Sequence, residues 1–155
     1  MTSTQPESSG DGLHVAYAWR DDVEALGKVV ASVCFDGFSG TASAFFEDDA
    51  LLLFASQLRS YPFGDAVVRV AGGYQDPVEE HVILTVQARG RRGQLGVLVQ
   101  LATPSDDLGD GEWSRRLLSV EVLTTYEALG RFATEVEHLV RGTATDAHLA
   151  AEVLA

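Results

Sequence analysis

Residues 81–102 read HVILTVQARGRRGQLGVLVQLA, and this stretch decides the fold. Two β-type runs flank a Gly/Arg turn, which is a hairpin pattern. Val82, Leu84, Val86 and Ala88 share one face of the first run, and Leu95, Val97, Val99 and Leu101 share one face of the second. The opposite faces carry His81, Thr85, Gln87, Gln94, Gly96 and Gln100. A period of two marks a half-buried antiparallel sheet.

Upstream, runs around Leu13, Val15 and Tyr17, then from Lys28 to Phe35, Thr41 to Phe46 and Ala66 to Ala71, read as further strands. Arg20-Asp21-Asp22 is expected to break the first of these. Asp48-Asp49 opens a helix whose stripe is Leu51, Phe54, Ala55 and Leu58. The stretches 72–80 and 103–112 read as loops, and Trp113 to Leu123 as one strand. Thr124 and Glu127 form an expected capping box for a second helix, with a stripe of Leu129, Phe132, Ala133, Val136 and Val140 and a stop at Gly142. Hairpins rather than crossovers join most strands, and both helices are one-sided. The expected class is α+β: an antiparallel β-sheet with two helices packed on one face.

At 155 residues one domain is expected over residues 13–142, with a polar lead at 1–12. Residues 143–155 are expected to be a tail, or a short helix capped by Asp146 and carrying Leu149 and Val153. The single cysteine, Cys34, excludes an internal disulfide framework and is expected to be a small core residue. Trp19 and Trp113 are likewise expected to be buried. The N-terminus has no basic region followed by an apolar stretch, and no apolar run nears the roughly 20 residues of a spanning helix, so a cytoplasmic protein is expected.

Charge narrows the partner classes. With 23 Asp and Glu against 11 Lys and Arg, the net charge is −12. Nucleic acid and anionic membrane are poor ligands for such a chain, and a basic protein partner suits it. Ten of the eleven basic residues are Arg, a bias of high-GC bacterial genomes. The acidic residues of the two loops, Asp76, Glu79, Glu80, Asp106, Asp107, Asp110 and Glu112, are the candidate partner-contact set. Their spacing does not fit an EF-hand. His14, His81, His138 and His148 have no metal-ligand spacing to one another. Glu79-Glu80-His81 contains the groups of a general base, but no nucleophile or cofactor motif accompanies them. No catalytic residue, metal or cofactor is assigned.

The order of elements carries a resemblance. A strand bears Phe38-Ser39-Gly40 and Thr41-Ala42-Ser43-Ala44-Phe45, and a helix with Leu51 and Leu58 follows. Then come a charged turn at residues 90–93, the strand Leu118-Ser119-Val120-Glu121-Val122, and a helix with Tyr126, Leu129 and Phe132. Over roughly residues 13–140 the chain resembles the WapI-type immunity proteins and related small actinobacterial proteins of unknown function. The resemblance implies a helix-backed antiparallel sheet and neutralisation of a toxin, in the best-known case a tRNA-cleaving nuclease. It supplies no catalytic residue. A scaffold domain with another protein partner, or a homodimer through the open sheet face, is the alternative expectation.

Overall fold

The computed structural model of the chain describes residues 10–75, 78–90 and 92–154. Residues 1–9 of the expected lead lie outside the described residues, as does Asp76. The strands are β1 (Gly12–Asp21), β2 (Leu26–Phe35), β3 (Phe38–Glu47), β4 (Val68–Gln75), β5 (Val78–Arg89), β6 (Gln94–Ala102), β7 (Asp106–Gly109), β8 (Glu112–Ser114), β9 (Leu117–Thr125) and β10 (Asp146–Ala150). Helices α1 (Asp48–Leu58) and α2 (Tyr126–Val140) follow β3 and β9. The fold is α+β. Its main sheet is antiparallel, in the order β10-β1-β2-β3-β4-β5-β6-β9, with β7-β8 as a separate two-stranded sheet.

The β5–β6 hairpin forms as its alternation requires. Val86 stands opposite Val97 and Leu84 opposite Val99, all buried. The same alternation runs through β2, where Val29, Ala31 and Val33 point inward. Cys34 must then point outward, and it is exposed. That corrects its expected place in the core.

β3 joins β4 by one bridge, Phe45 to Gly73. From there β3 crosses the ends of the β4–β9 half of the sheet. At its far end Gly40 lies against Leu118, where a Cβ would come 2.5 Å from Leu118 Cδ2. Both helices pack on the inner face and on each other. Their expected stripes are the buried ones, Leu51, Phe54, Ala55 and Leu58 in α1 and Leu129, Phe132, Ala133, Val136 and Val140 in α2. Burying one such large apolar side chain stabilises by about 1.5–3 kcal/mol. Arg59 ties the helices together, donating to both oxygens of Glu137 at 2.8 and 3.0 Å.

Several expected boundaries shift. β1 continues through Arg20 and Asp21 because they pair with Gly27 and Leu26. Arg20 also donates to Asp48 at 2.7 Å and to the Val140 carbonyl, so it ties β1 to the start of α1 and the end of α2. The helix cap is Thr125, not Thr124: its hydroxyl accepts the Ala128 N–H at 3.2 Å. Thr124 is buried and donates to the Ala150 carbonyl at 2.8 Å. Gly142 ends α2 as expected, with Gly142 N–H on Leu139 and Thr143 N–H on His138 closing a Schellman motif.

The expected C-terminal helix is instead β10. Ala147 and Leu149 are buried while Asp146 and His148 are exposed, a period-two pattern satisfied by pairing with β1. Beyond it, the chain crosses to the opposite sheet edge, where Glu152 N–H donates to the Leu123 carbonyl at 2.8 Å. Gln94 holds this crossing, donating to the Glu152 carbonyl and accepting the Leu154 N–H.

Candidate partner-binding face

The site is built where the start of β5, the end of β6 and the start of β9 meet the segment 103–116. A β-bulge shapes the first of these. Gly72 stands opposite Val82 and Gly73 opposite Glu80, so His81 is the extra residue. A Cβ on Gly73 would lie 1.7 Å from the Glu79 carbonyl oxygen, so only glycine fits there. The bulge breaks the alternation and turns His81 inward, where it is 1% exposed. This corrects its expected place on the solvent face beside Thr85 and Gln87.

His81 packs edge-on to Tyr74 at 4.7 Å, the end of an aromatic row that continues to Phe45 and Trp19. Its Nε2 lies 2.8 Å from Glu79 Oε1, and among the described residues Nδ1 has no hydrogen-bond partner. Glu79 also accepts the Ser105 N–H at 3.4 Å. Its carboxyl is held below its ordinary pKa, first by the His81 hydrogen bond and then by the one to Ser105. Glu79 therefore fixes the root of the 103–116 segment to β5.

Further bonds pin that root. Thr103 N–H donates to the Arg116 carbonyl and Arg116 N–H to Thr103 Oγ1, both at 3.0 Å. Arg116 pairs with Asp106 at 3.0 Å. Arg115 donates to the Glu80 carbonyl at 3.3 Å, and the Glu80 carboxylate pairs with Arg69 at 2.9 Å.

Beyond the root, the expected loop is a projecting ribbon. Strands β7 and β8 pair through Asp106–Ser114, Asp107–Trp113 and Gly109–Glu112. The turn is Asp110-Gly111, with positive φ at both residues (54° and 78°), the requirement of a type I′ hairpin turn. Asp107 accepts the Gly109 N–H at 2.8 Å. The expected strand from Trp113 to Leu123 is thus split between β8 and β9. Among the described residues nothing covers the ribbon: Leu108 and Trp113 are each 62% exposed, and Leu117 at its base is 72% exposed. Trp19 is about half exposed, at 47%. Both tryptophans were expected inside, and the correction at Trp113 follows from the ribbon lying off the core.

The structure gathers Glu79, Glu80 and Asp106 at one end of the sheet and places Asp107, Asp110 and Glu112 on the ribbon above them. They sit on strands and a tight turn rather than in two loops. Glu80 and Asp106 are neutralised by Arg69 and Arg116. Asp107, Asp110 and Glu112 make no ion pair among the described residues. Beside the ribbon lies a groove of about 700 Å³ lined by Glu79, Glu80, Ile83, Gln100, Arg115 and Leu117 among others. Glu79 lines the groove but His81 does not: the imidazole faces the protein interior.

A second hollow, of about 860 Å³, lies across β10, β1, β2 and β3. Its His14 Nε2 is 2.7 Å from Asp146, and Ser32 shares a hydrogen bond with Thr41 at 3.0 Å. Cys34 donates to Asp11 at 3.7 Å, and desolvation followed by that bond raises its thiol pKa, which favours the unreactive protonated form. Among the described residues, no group of three or more His, Cys, Asp or Glu side chains is placed to hold a metal. Among the described residues no helix is long and apolar enough to cross a membrane.

No family model matches the chain, and no match was found among the curated proteins or the solved structures.

Proposed function

We propose that this chain is a non-enzymatic binding protein that holds a basic protein partner on the β7–β8 ribbon, in the manner of an immunity protein neutralising a toxin. The observation that carries this reading is the ribbon itself. Trp113 and Leu108 stand exposed beside three carboxylates, Asp107, Asp110 and Glu112, that make no ion pair among the described residues. An exposed tryptophan is a typical interface anchor, and solvent contact with so much apolar surface is relieved by a partner. The surrounding negative charge would draw a basic domain to it rapidly and in a salt-dependent way.

The rigid root supports the same reading. Glu79, Thr103 and Arg116 hold the ribbon in place before any partner arrives, which lowers the ordering cost of association. A nuclease toxin, whose substrate cleft is basic, has the complementary charge. Where a toxic domain is encoded beside the gene, co-expression of the chain with that domain tests the proposal. The wild-type chain should restore growth, and Trp113→Ala combined with Leu108→Ala should not. Rescue that survives both substitutions would overturn the ribbon as the binding element.

A further inference from the structure

The main sheet protects most of its outer edges. The β10 edge is met by α2, where Glu135 accepts the His148 N–H at 2.7 Å. One end of the β9 edge is met by the C-terminal crossing, where the Leu123 carbonyl accepts the Glu152 N–H. Backbone groups in an antiparallel strand alternate between its two sides. The side on which Leu123 meets Glu152 therefore also presents the groups of Leu117, Ser119 and Glu121. Among the described residues β9 ladders with β6 alone. Among the described residues, nothing hydrogen-bonds to the backbone of these three on their outward side. Leu117 and Ser119 are exposed.

We propose that this open edge of β9, from Leu117 to Glu121, accepts an extended basic segment of the partner as an additional β-strand. The inference rests on the binding reading above and adds how the partner is gripped. Added strands gain affinity from backbone hydrogen bonds and specificity from pockets on alternate faces. Both faces of this edge have one. On the outer side lies the 700 Å³ groove with Glu79, Glu80 and Gln100. On the inner side lies a cleft of about 280 Å³ lined by Gly40, Ala42, Leu101 and Leu118. Leu117 and Leu118 border both.

Charge selects the occupant. In the groove Glu80 is matched by Arg69, and Glu79 is bonded to His81 and Ser105, so the selecting charge is that of the ribbon leading into β9, whose Asp107, Asp110 and Glu112 make no ion pair among the described residues. A segment alternating Lys or Arg with a small apolar residue puts its cations toward these carboxylates and its apolar groups into the inner cleft. A second copy of the chain would bring another net charge of −12 to the same place. Among the described residues the stretch of β3 before Phe45 also has no strand paired on its β4 side, but it carries Ser39, Gly40 and Thr41 and no charge with which to select one.

The test uses the full-length ¹⁵N-labelled chain and the capped peptide Lys-Val-Lys-Val-Lys-Val-Lys, followed by amide hydrogen exchange. Exchange at Ser119 and Glu121 should slow about tenfold, the factor equivalent to about 1.4 kcal/mol, while Val120, already turned toward β6, should not change. The same peptide N-methylated at its valines should give no protection, which needs no change in the protein. Ser119→Pro removes only an outward N–H, which an edge strand tolerates, and it should abolish protection while leaving Trp113→Ala protein still responsive. No protection, equal protection by a Glu-Val peptide, or concentration-dependent protection without peptide would each overturn the proposal, the last in favour of a second copy. Shifts confined to the ribbon, lost in Trp113→Ala and kept in Ser119→Pro, would overturn edge pairing and leave the ribbon reading standing.

Discussion

Glu79 Oε1 stands 2.8 Å from His81 Nε2, and the same carboxylate receives the Ser105 N–H at 3.4 Å. One side chain thus joins a buried imidazole to the root of the exposed ribbon. The bonds hold the Glu79 carboxyl below its ordinary pKa. A depressed carboxyl stabilises the fold above its unfolded pKa, about 4.3, and loses that contribution as pH falls through the lower folded value. Glu79→Gln should therefore flatten the acid limb of the stability curve below about pH 4. Urea midpoints between pH 2 and 6 read this directly, and an unchanged acid limb would count against the ionic role of Glu79.

Gly73 makes that geometry available. Gly73→Ala would drive a Cβ into the Glu79 carbonyl, a backbone atom with no freedom to retreat. We expect a loss of about 3 kcal/mol, measured by chemical denaturation. At Gly37, φ is +87° and nothing lies within 4 Å of a built Cβ, so Gly37→Ala should cost only the left-handed backbone term of about 1–2 kcal/mol. Equal losses at the two sites would mean that the bulge is not sterically fixed.

The cap of α2 separates two adjacent threonines. Thr125→Ala should cost about 1 kcal/mol by removing the acceptor for the Ala128 N–H. Thr124→Val should cost about 1–3 kcal/mol because the Ala150 carbonyl then loses its buried donor. Among the described residues Glu127 forms only a long, exposed pair with Arg131, and its alanine variant should stay within about 0.5 kcal/mol. A large effect at Glu127 would restore the capping box.

Tyr17 lies where β1 meets α1. Burial, followed by the charge of Asp48, pushes its phenol up to about 12. A raised folded pKa keeps its contribution intact below the unfolded value of about 10 and loses it as pH climbs toward the folded one. Phenolate absorbance should show one tyrosine titrating late, and Asp48→Asn should bring it part of the way back. Normal titration of all four tyrosines would contradict the packing at this corner.

Much of this architecture is legible in the sequence. The stripes of α1 and α2 and the alternation of residues 82–88 and 95–101 each name one face, and those faces form the core. Parity also tells more than a local reading takes from it. With Val29, Ala31 and Val33 inside, Cys34 has to be outside. Ala147 and Leu149 alternate as a strand even though Asp146 resembles a helix cap. Asp110-Gly111 is a type I′ signal that turns an apparent loop into a ribbon. The acidic composition of the site is visible in the chain, but its neutralisation is not, because Arg69 and Glu80, or Arg116 and Asp106, meet only after pairing sets the register. The bulge at His81 is hidden for the same reason: it depends on Gly72 and Gly73 in the facing strand.

The affinity of the chain for the basic toxin domain proposed as its partner, compared between wild type and Trp113→Ala, tests the central claim most directly. A tryptophan anchor should lose at least about 2 kcal/mol, or roughly thirtyfold, on truncation, with the melting temperature unchanged because Trp113 lies off the core. An affinity within about twofold of wild type would contradict the ribbon as the docking element, since that ratio is under 0.5 kcal/mol.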